Sequence, residues 1–165
     1  MKNLSKRIET LANVAIIIVA VMIGVVIANK YFFAKPAQQR PTIAIGSKVA
    51  LPGVDWSGNG KTLVLALQKG CHFCSESAPF YQRLVQLAPA KGVKLVAVLP
   101  QTAAEAQQYL QSLSVPIADI RQSPLDTLNV GGTPTLILVD DKGQVTASWV
   151  GKIPGDKEAE VLARL

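Results

Sequence analysis

The longest apolar run lies near the start of the chain. From Thr10 to Asn29 twenty residues carry no charge, and Val14 to Ile27 is almost wholly aliphatic. At about 1.5 Å per residue, a helix of that length crosses the roughly 30 Å of a bilayer's hydrocarbon core. The pattern therefore predicts a transmembrane helix over residues 11–33, after a short tail, residues 1–10. Tyr31, Phe32 and Phe33 stand where aromatic side chains settle at a membrane interface. The alternative is a cleaved signal peptide. Lys2, Lys6 and Arg7 make a fair basic leader, but the apolar stretch is long and β-branched, and no good A-x-A cleavage pattern follows it. Residues 34–47 read as a linker, because AKPAQQRP is polar and carries two prolines.

Residues 48–165 have the pattern of one compact domain. Thr62–Leu67 (TLVLAL) and Val93–Pro100 (VKLVAVLP) are apolar runs of strand length, each leading into a helical stretch. The first helix is expected from Cys71 to Leu87, with Phe80, Leu84 and Leu87 on one face. The second covers Thr102 to Leu113, where Thr102 caps and Glu105 sits three residues on. Alternating strands and helices imply parallel pairing through right-handed crossovers. After a broken segment, Thr135–Val139, the turn Asp140-Asp141-Lys142-Gly143 and Val145–Val150 read as an antiparallel hairpin. Pro154–Leu165 reads as a closing helix with Val161, Leu162 and Leu165 inward. The expected fold class is α/β, a mixed central β-sheet flanked by helices.

Charge removes one class of function. The net charge of +6 belongs to the N-terminal end: residues 1–40 hold six basic side chains and one acidic, whereas the other 125 hold 11 and 10. The basicity flanks the apolar segment and forms no phosphate-binding face, so no nucleic-acid partner is expected. Three basic residues precede the span and three follow it, so the positive-inside rule does not orient it. Gly58-Asn59-Gly60-Lys61-Thr62 echoes the end of a P-loop, but Asp55 replaces the first glycine and a strand follows where a helix is needed.

The candidate chemistry is the pair Cys71 and Cys74, the only cysteines, in Cys71-His72-Phe73-Cys74 where a strand hands over to a helix. Unpaired N–H groups at a helix N-terminus favour a thiolate. A thiol pKa lowered from about 8.5 to about 7 raises the thiolate fraction at neutral pH from a few per cent to about half. Cys71 is then the nucleophile, and Cys74, one turn on, is placed to attack a mixed disulfide. Half of a zinc site and a pair of inert cysteines are the other readings. Zinc would need carboxylates, since His72 is the only histidine. Farther on, Thr133-Pro134 introduces a strand, and a proline there marks a cis bond or a functional turn.

Strand, CxxC, helix, strand, helix, then Thr-Pro before a hairpin resembles the thioredoxin fold. It is similar to the membrane-anchored redoxin-type (TlpA-type) thiol-disulfide oxidoreductases of bacterial envelopes. Pro79, five after Cys74, matches the proline that kinks the family's active-site helix. The resemblance implies that Cys71 and Cys74 exchange disulfides with protein thiols, and that Thr133 and Pro134 hold an extended substrate peptide. It further implies that His72 and Phe73 tune the redox potential, that no organic cofactor is needed, and that an upstream membrane or soluble donor supplies electrons. Envelope relatives of this kind favour the reductase direction and an extracytoplasmic domain on the inner membrane. Several positions depart from the family: Gly70 replaces the tryptophan before the first cysteine, and Leu65 replaces the buried acid six residues before it. Glu76 lies two residues after Cys74 and not three, which leaves it a candidate for proton transfer. Lys69 is a second cation near the pair or a solvated loop charge, and Phe73, Phe80 and Tyr81 are candidates for an apolar docking surface, with core packing favoured for Phe80. The related peroxiredoxins carry Pro-x-x-x-Thr-x-x-Cys, where this chain has Val64 and Gln68.

Overall fold

The structure is a computed structural model that describes residues 13–25 and 43–165. The chain divides into two units, Met1–Gln39 and Arg40–Leu165. In the first, residues 13–25 form a helix, α1, with exposed aliphatic side chains such as Ile16, Ile17 and Met22. Among the described residues no helix is long and apolar enough to cross a membrane. Of the expected span, residues 11–33, only 13–25 are described, and most of the linker, residues 34–47, lies outside the described residues. The second unit begins at Arg40, before the boundary expected at residue 48. Ile43 already packs on its core, and Gly46 N–H donates to the Val145 carbonyl.

The unit is built on five strands: β1 (Thr62–Ala66), β2 (Lys94–Leu99), β3 (Asp119–Gln122), β4 (Thr135–Val139) and β5 (Val145–Val150). Their order is β3-β2-β1-β4-β5, with β1, β2 and β3 parallel and β4 antiparallel to both β1 and β5. Every residue of β1 and β4 is buried. Successive side chains point to opposite faces, so a strand covered on both sides is apolar throughout. Leu63, Leu65, Leu136 and Leu138 face a core closed by α4 (Ala78–Leu87), α5 (Ala103–Ser112) and α6 (Gly155–Arg164). Val64, Ala66, Ile137 and Val139 face a second core. It is closed by residues 43–56, where the short helix α2 (Trp56–Asn59) begins, and by the turn at Leu125–Leu128.

Three local expectations change. The first helix is broken into α3 (His72–Glu76) and α4, with Ser77 between them. Pro79 has no N–H for the carbonyl four residues back, so one continuous ladder cannot pass it. Leu87 is 42% exposed, and the inward set is Phe80, Tyr81, Leu84 and Ala88. At 3.6 residues per turn Leu87 falls at the edge of that arc. The broken segment contains β3, an edge strand in which Asp119 and Arg121 pair with each other and no residue is fully buried.

The capping box of α5 forms as expected. Glu105 N–H donates to Thr102 Oγ1, and the Glu105 carboxylate accepts from Thr102 N–H. At the hairpin, Asp140 Oδ1 accepts from the N–H groups of Lys142 and Gln144. Gly143 has φ +76°, and a Cβ there would lie 2.9 Å from the Trp56 ring. Only glycine fits that turn.

Candidate active site

The site forms where strand ends meet. β1 pairs with β4 so that Ala66 faces Thr135, which brings the segment leaving β1 beside the segment entering β4. The chain then turns at Gly70, φ +83°, and starts α3 with Cys71 as its N-cap. Cys71 Sγ accepts a hydrogen bond from Cys74 N–H at 3.2 Å, and as a thiol donates to the Thr133 carbonyl at 3.4 Å. The Thr133-Pro134 bond is cis, and Pro134 is buried beneath a half-buried Thr133. The structure thus brings together Cys71, Cys74, Thr133 and Pro134, the four residues singled out from two distant segments.

The two thiols are free and unequal. Partial burial alone would raise the Cys71 pKa. Hydrogen bonds from the Cys74 thiol, from Thr133 and from the N–H groups of Cys74 and Phe73 outweigh that, and hold Cys71 below the ordinary thiol value. Cys74 is fully buried, and burial, followed by its hydrogen bond to Cys71, pushes its pKa up to about 12. The arrangement favours the thiolate at Cys71, on the more exposed side, and keeps the buried Cys74 protonated.

The other predicted residues divide by exposure. Phe73 is 54% exposed beside the half-buried Cys71. His72 is exposed, with Nε2 3.0 Å from Glu76 Oε1. Glu76 also accepts from Lys152 Nζ at 3.0 Å, and that hydrogen bond, more than the Lys152 and His72 charges, holds its carboxyl below the usual range. Its carboxylate is engaged by Lys152 and His72, and no hydrogen bond connects it to Cys74. Lys69 lies 3.7 Å from Glu105 in an exposed ion pair, and its N–H donates to Gln101, which ties the loop before Cys71 to the one after β2. Phe80 and Tyr81 are buried core residues, as favoured for Phe80, and the docking role considered for Tyr81 is withdrawn. The cause is the inward arc of α4.

Lys152 was not legible as a site residue. It stands 76 positions from Glu76, and no local motif marks it. It arrives because Thr135 pairs with Val150 and Gly151 N–H donates to the Pro134 carbonyl, which carries the end of β5 past the proline. Among the described residues no group of three or more His, Cys, Asp or Glu side chains is placed to hold a metal ion.

Residues 41–165 match the redoxin family. No curated protein matches the chain. Among solved structures, the chain assigned as thiol:disulfide interchange protein DsbE from Chlorobium tepidum is 26% identical, with a TM-score of 0.58 over 74% of this chain and 97% of that one. A thiol:disulfide interchange protein from Bacteroides sp. is 19% identical, with a TM-score of 0.60 over 74% and 90%. PrxQ from Xylella fastidiosa, as its C47S mutant, is 11% identical, with a TM-score of 0.59 over 74% and 95%. The last two are likenesses of fold.

Proposed function

The chain belongs to the redoxin family and is a thioredoxin-like oxidoreductase, and from that premise we propose that it exchanges disulfides with partner proteins through Cys71 and Cys74 while tethered to a membrane. The observation that carries this reading is the inequality of the thiols: a half-buried helix N-cap whose pKa is lowered, in front of a buried thiol whose pKa is raised. In the reductase direction, the Cys71 thiolate attacks one sulfur of a partner's disulfide. A Cys71–partner bond forms, and the other partner sulfur leaves as a thiolate. Cys74 then loses its proton and attacks Cys71, closing the Cys71–Cys74 disulfide and releasing the second partner thiol. Two electrons pass to the partner, and an upstream donor must return them. The Thr133 carbonyl, 3.4 Å from Cys71 Sγ, and the buried Pro134 form the edge against which an extended peptide would lie.

His72 and Phe73 set the potential in this reading, as the dipeptide that separates the sulfurs. The reductase direction is supported by the resemblance to envelope reductases. A reduction potential of the whole chain below about −150 mV would agree with it, and a higher one would reverse it. The tether rests on the apolar segment over residues 11–33, and the resemblance to envelope relatives puts the domain outside the cytoplasm on the inner membrane. Trapping tests the exchange itself. A Cys74→Ser chain should accumulate mixed disulfides on non-reducing gels, and a Cys71→Ser chain should not. Equal trapping by both, or by neither, defeats the proposal.

Peroxide reduction is the second reading, favoured by the likeness to PrxQ in fold. Val64 and Gln68 occupy the positions of the proline and threonine expected before a peroxidatic cysteine. Turnover of hydrogen peroxide without a protein disulfide would favour it.

A further inference from the structure

The near-neutral balance of charge after residue 40 conceals a segregation of lysines. The starts of β1 and β2 lie at one end of the sheet, because Thr62 pairs with Lys94, and the end of β4 joins them, because Thr62 also pairs with Val139. The hairpin between β4 and β5 turns at that same end. Cys71, Thr133 and Pro134 stand at the other, beyond the pair Ala66 and Thr135. Five exposed lysines mark the end away from the cysteines: Lys61 before β1, Lys91 before β2 and Lys94 at its start, Lys142 in the hairpin turn, and Lys48, whose backbone bridges to Gln144. Among the described residues none of the five pairs with a side-chain carboxylate. The three lysines elsewhere in the unit, Lys69, Lys152 and Lys157, each pair with a glutamate.

The acids at this end are fewer and partly engaged. Asp55 accepts from Ser57 and Gly58, and Asp140 from the N–H groups of Lys142 and Gln144, which leaves Asp141. Lys61 and Lys91 donate to backbone oxygens at the end of α6, which holds their ammonium groups here. The described chain also enters the unit at this end. Gly46 N–H donates to the Val145 carbonyl and Val49 N–H to the Gly143 carbonyl. Ile45, in the entering turn, is 71% exposed. Only nine residues, 34–42, separate Ile43 from the apolar segment read as the tether, and whatever their course they reach no farther than about 30 Å. Unpaired ammonium groups around an exposed isoleucine suit anionic headgroups lying over hydrocarbon. We propose that the lysine end of the unit docks on anionic phospholipid, so that the tethered unit stands with Cys71 turned away from the bilayer and open to partner proteins. This rests on the tether in the reading above. Each lysine brought to such a surface favours binding about fivefold, and the attraction fades beyond about 10 Å at moderate salt.

Lysine acetylation read by mass spectrometry tests it on the full chain in lipid nanodiscs, made of phosphatidylcholine alone or with one lipid in three replaced by phosphatidylglycerol. With the anionic lipid the five lysines should react about threefold or more slowly than in phosphatidylcholine alone, and molar salt should restore their rates. Lys69, Lys152 and Lys157 should stay within about twofold. The triple variant Lys48→Glu, Lys94→Glu, Lys142→Glu should melt within a few degrees of the parent and lose the protection at Lys61 and Lys91. Equal rates for the five in both lipids, the result an acidic protein partner for these lysines would give, overturn the proposal. Protection of Lys69 and Lys152 in place of the five overturns it too, by turning the cysteine end to the bilayer. A chain that does not enter nanodiscs refutes the tether instead, and flotation of the full chain with vesicles of the same two compositions then decides the lysine surface. Binding to the anionic vesicles alone, lost in the triple variant, supports it; equal binding to both, or to neither, overturns it.

Discussion

At the scale of single residues, the chemistry turns on where two identical thiols sit. Cys71 caps a helix and accepts the Cys74 N–H, whereas Cys74 lies inside the core with its pKa pushed up to about 12. Iodoacetamide titration of the reduced chain should therefore show Cys71 reacting from a pH below the ordinary thiol range and Cys74 only in strong alkali; equal profiles would contradict the burial. The same asymmetry predicts a pH dependence of stability. A folded-state pKa above the unfolded one contributes stability that is complete below the unfolded value, about 8.5, and is lost as pH rises toward 12. Cys74→Ala should flatten the stability profile across that window, measured by denaturant midpoint at successive pH values. His72, Phe73 and Glu76 belong to the exposed rim.

Elements place those residues and hold them there. α3 is short because Pro79 ends the ladder at Ser77, and its outer side is tied by Glu76 to Lys152 in the segment after β5. Lys152→Met removes the largest cause of the lowered Glu76 pKa, so the Glu76 carboxyl should titrate higher, nearer the ordinary glutamate value, in a carbon-detected NMR titration. No movement would mean that the tie does not persist in solution. On the next crossover, Thr102→Ala deletes the capping box of α5. A loss of about 1 kcal/mol is expected, seen as a fall of a few degrees in melting temperature. Glu158, on α6, pairs with Arg83 on α4, so the closing helix is bound to the helix that carries Tyr81.

For the molecule as a whole, the Arg40–Leu165 unit has its own two-sided core. With the chain anchored as proposed, alkaline phosphatase joined through a flexible linker after Leu165 should be active in a bacterial host, and a reporter that works only in the cytoplasm should be silent at the same place. The reverse pair of results would invert the proposed topology. The redoxin match over residues 41–165 coincides with this unit, so the cysteine pair and the apolar segment proposed as the tether belong to separate stretches of one chain.

Local pattern alone determined β1, β2, β4 and β5, the capping box at Thr102 and Glu105, and the CxxC pair at a strand-to-helix junction, because each depends on side chains within a few positions of one another. The strand β3 escaped it: four residues at a sheet edge, two of them an Asp and an Arg, need little burial and so leave no apolar run. Pro79 marked a kink in the active-site helix, but the inward turn of Tyr81 was hidden, since a helical pattern does not show which arc a neighbouring sheet will cover. Contacts between distant segments were decided only in three dimensions. Cys71 meets Thr133 because β1 and β4 pair in a register that sets Ala66 against Thr135, and Lys152 meets Glu76 because β5 pairs with β4 in turn. Spacing can name a thiol, but its acidity depends on solvent exclusion and on donors brought from elsewhere in the chain, which exist only once the sheet has formed.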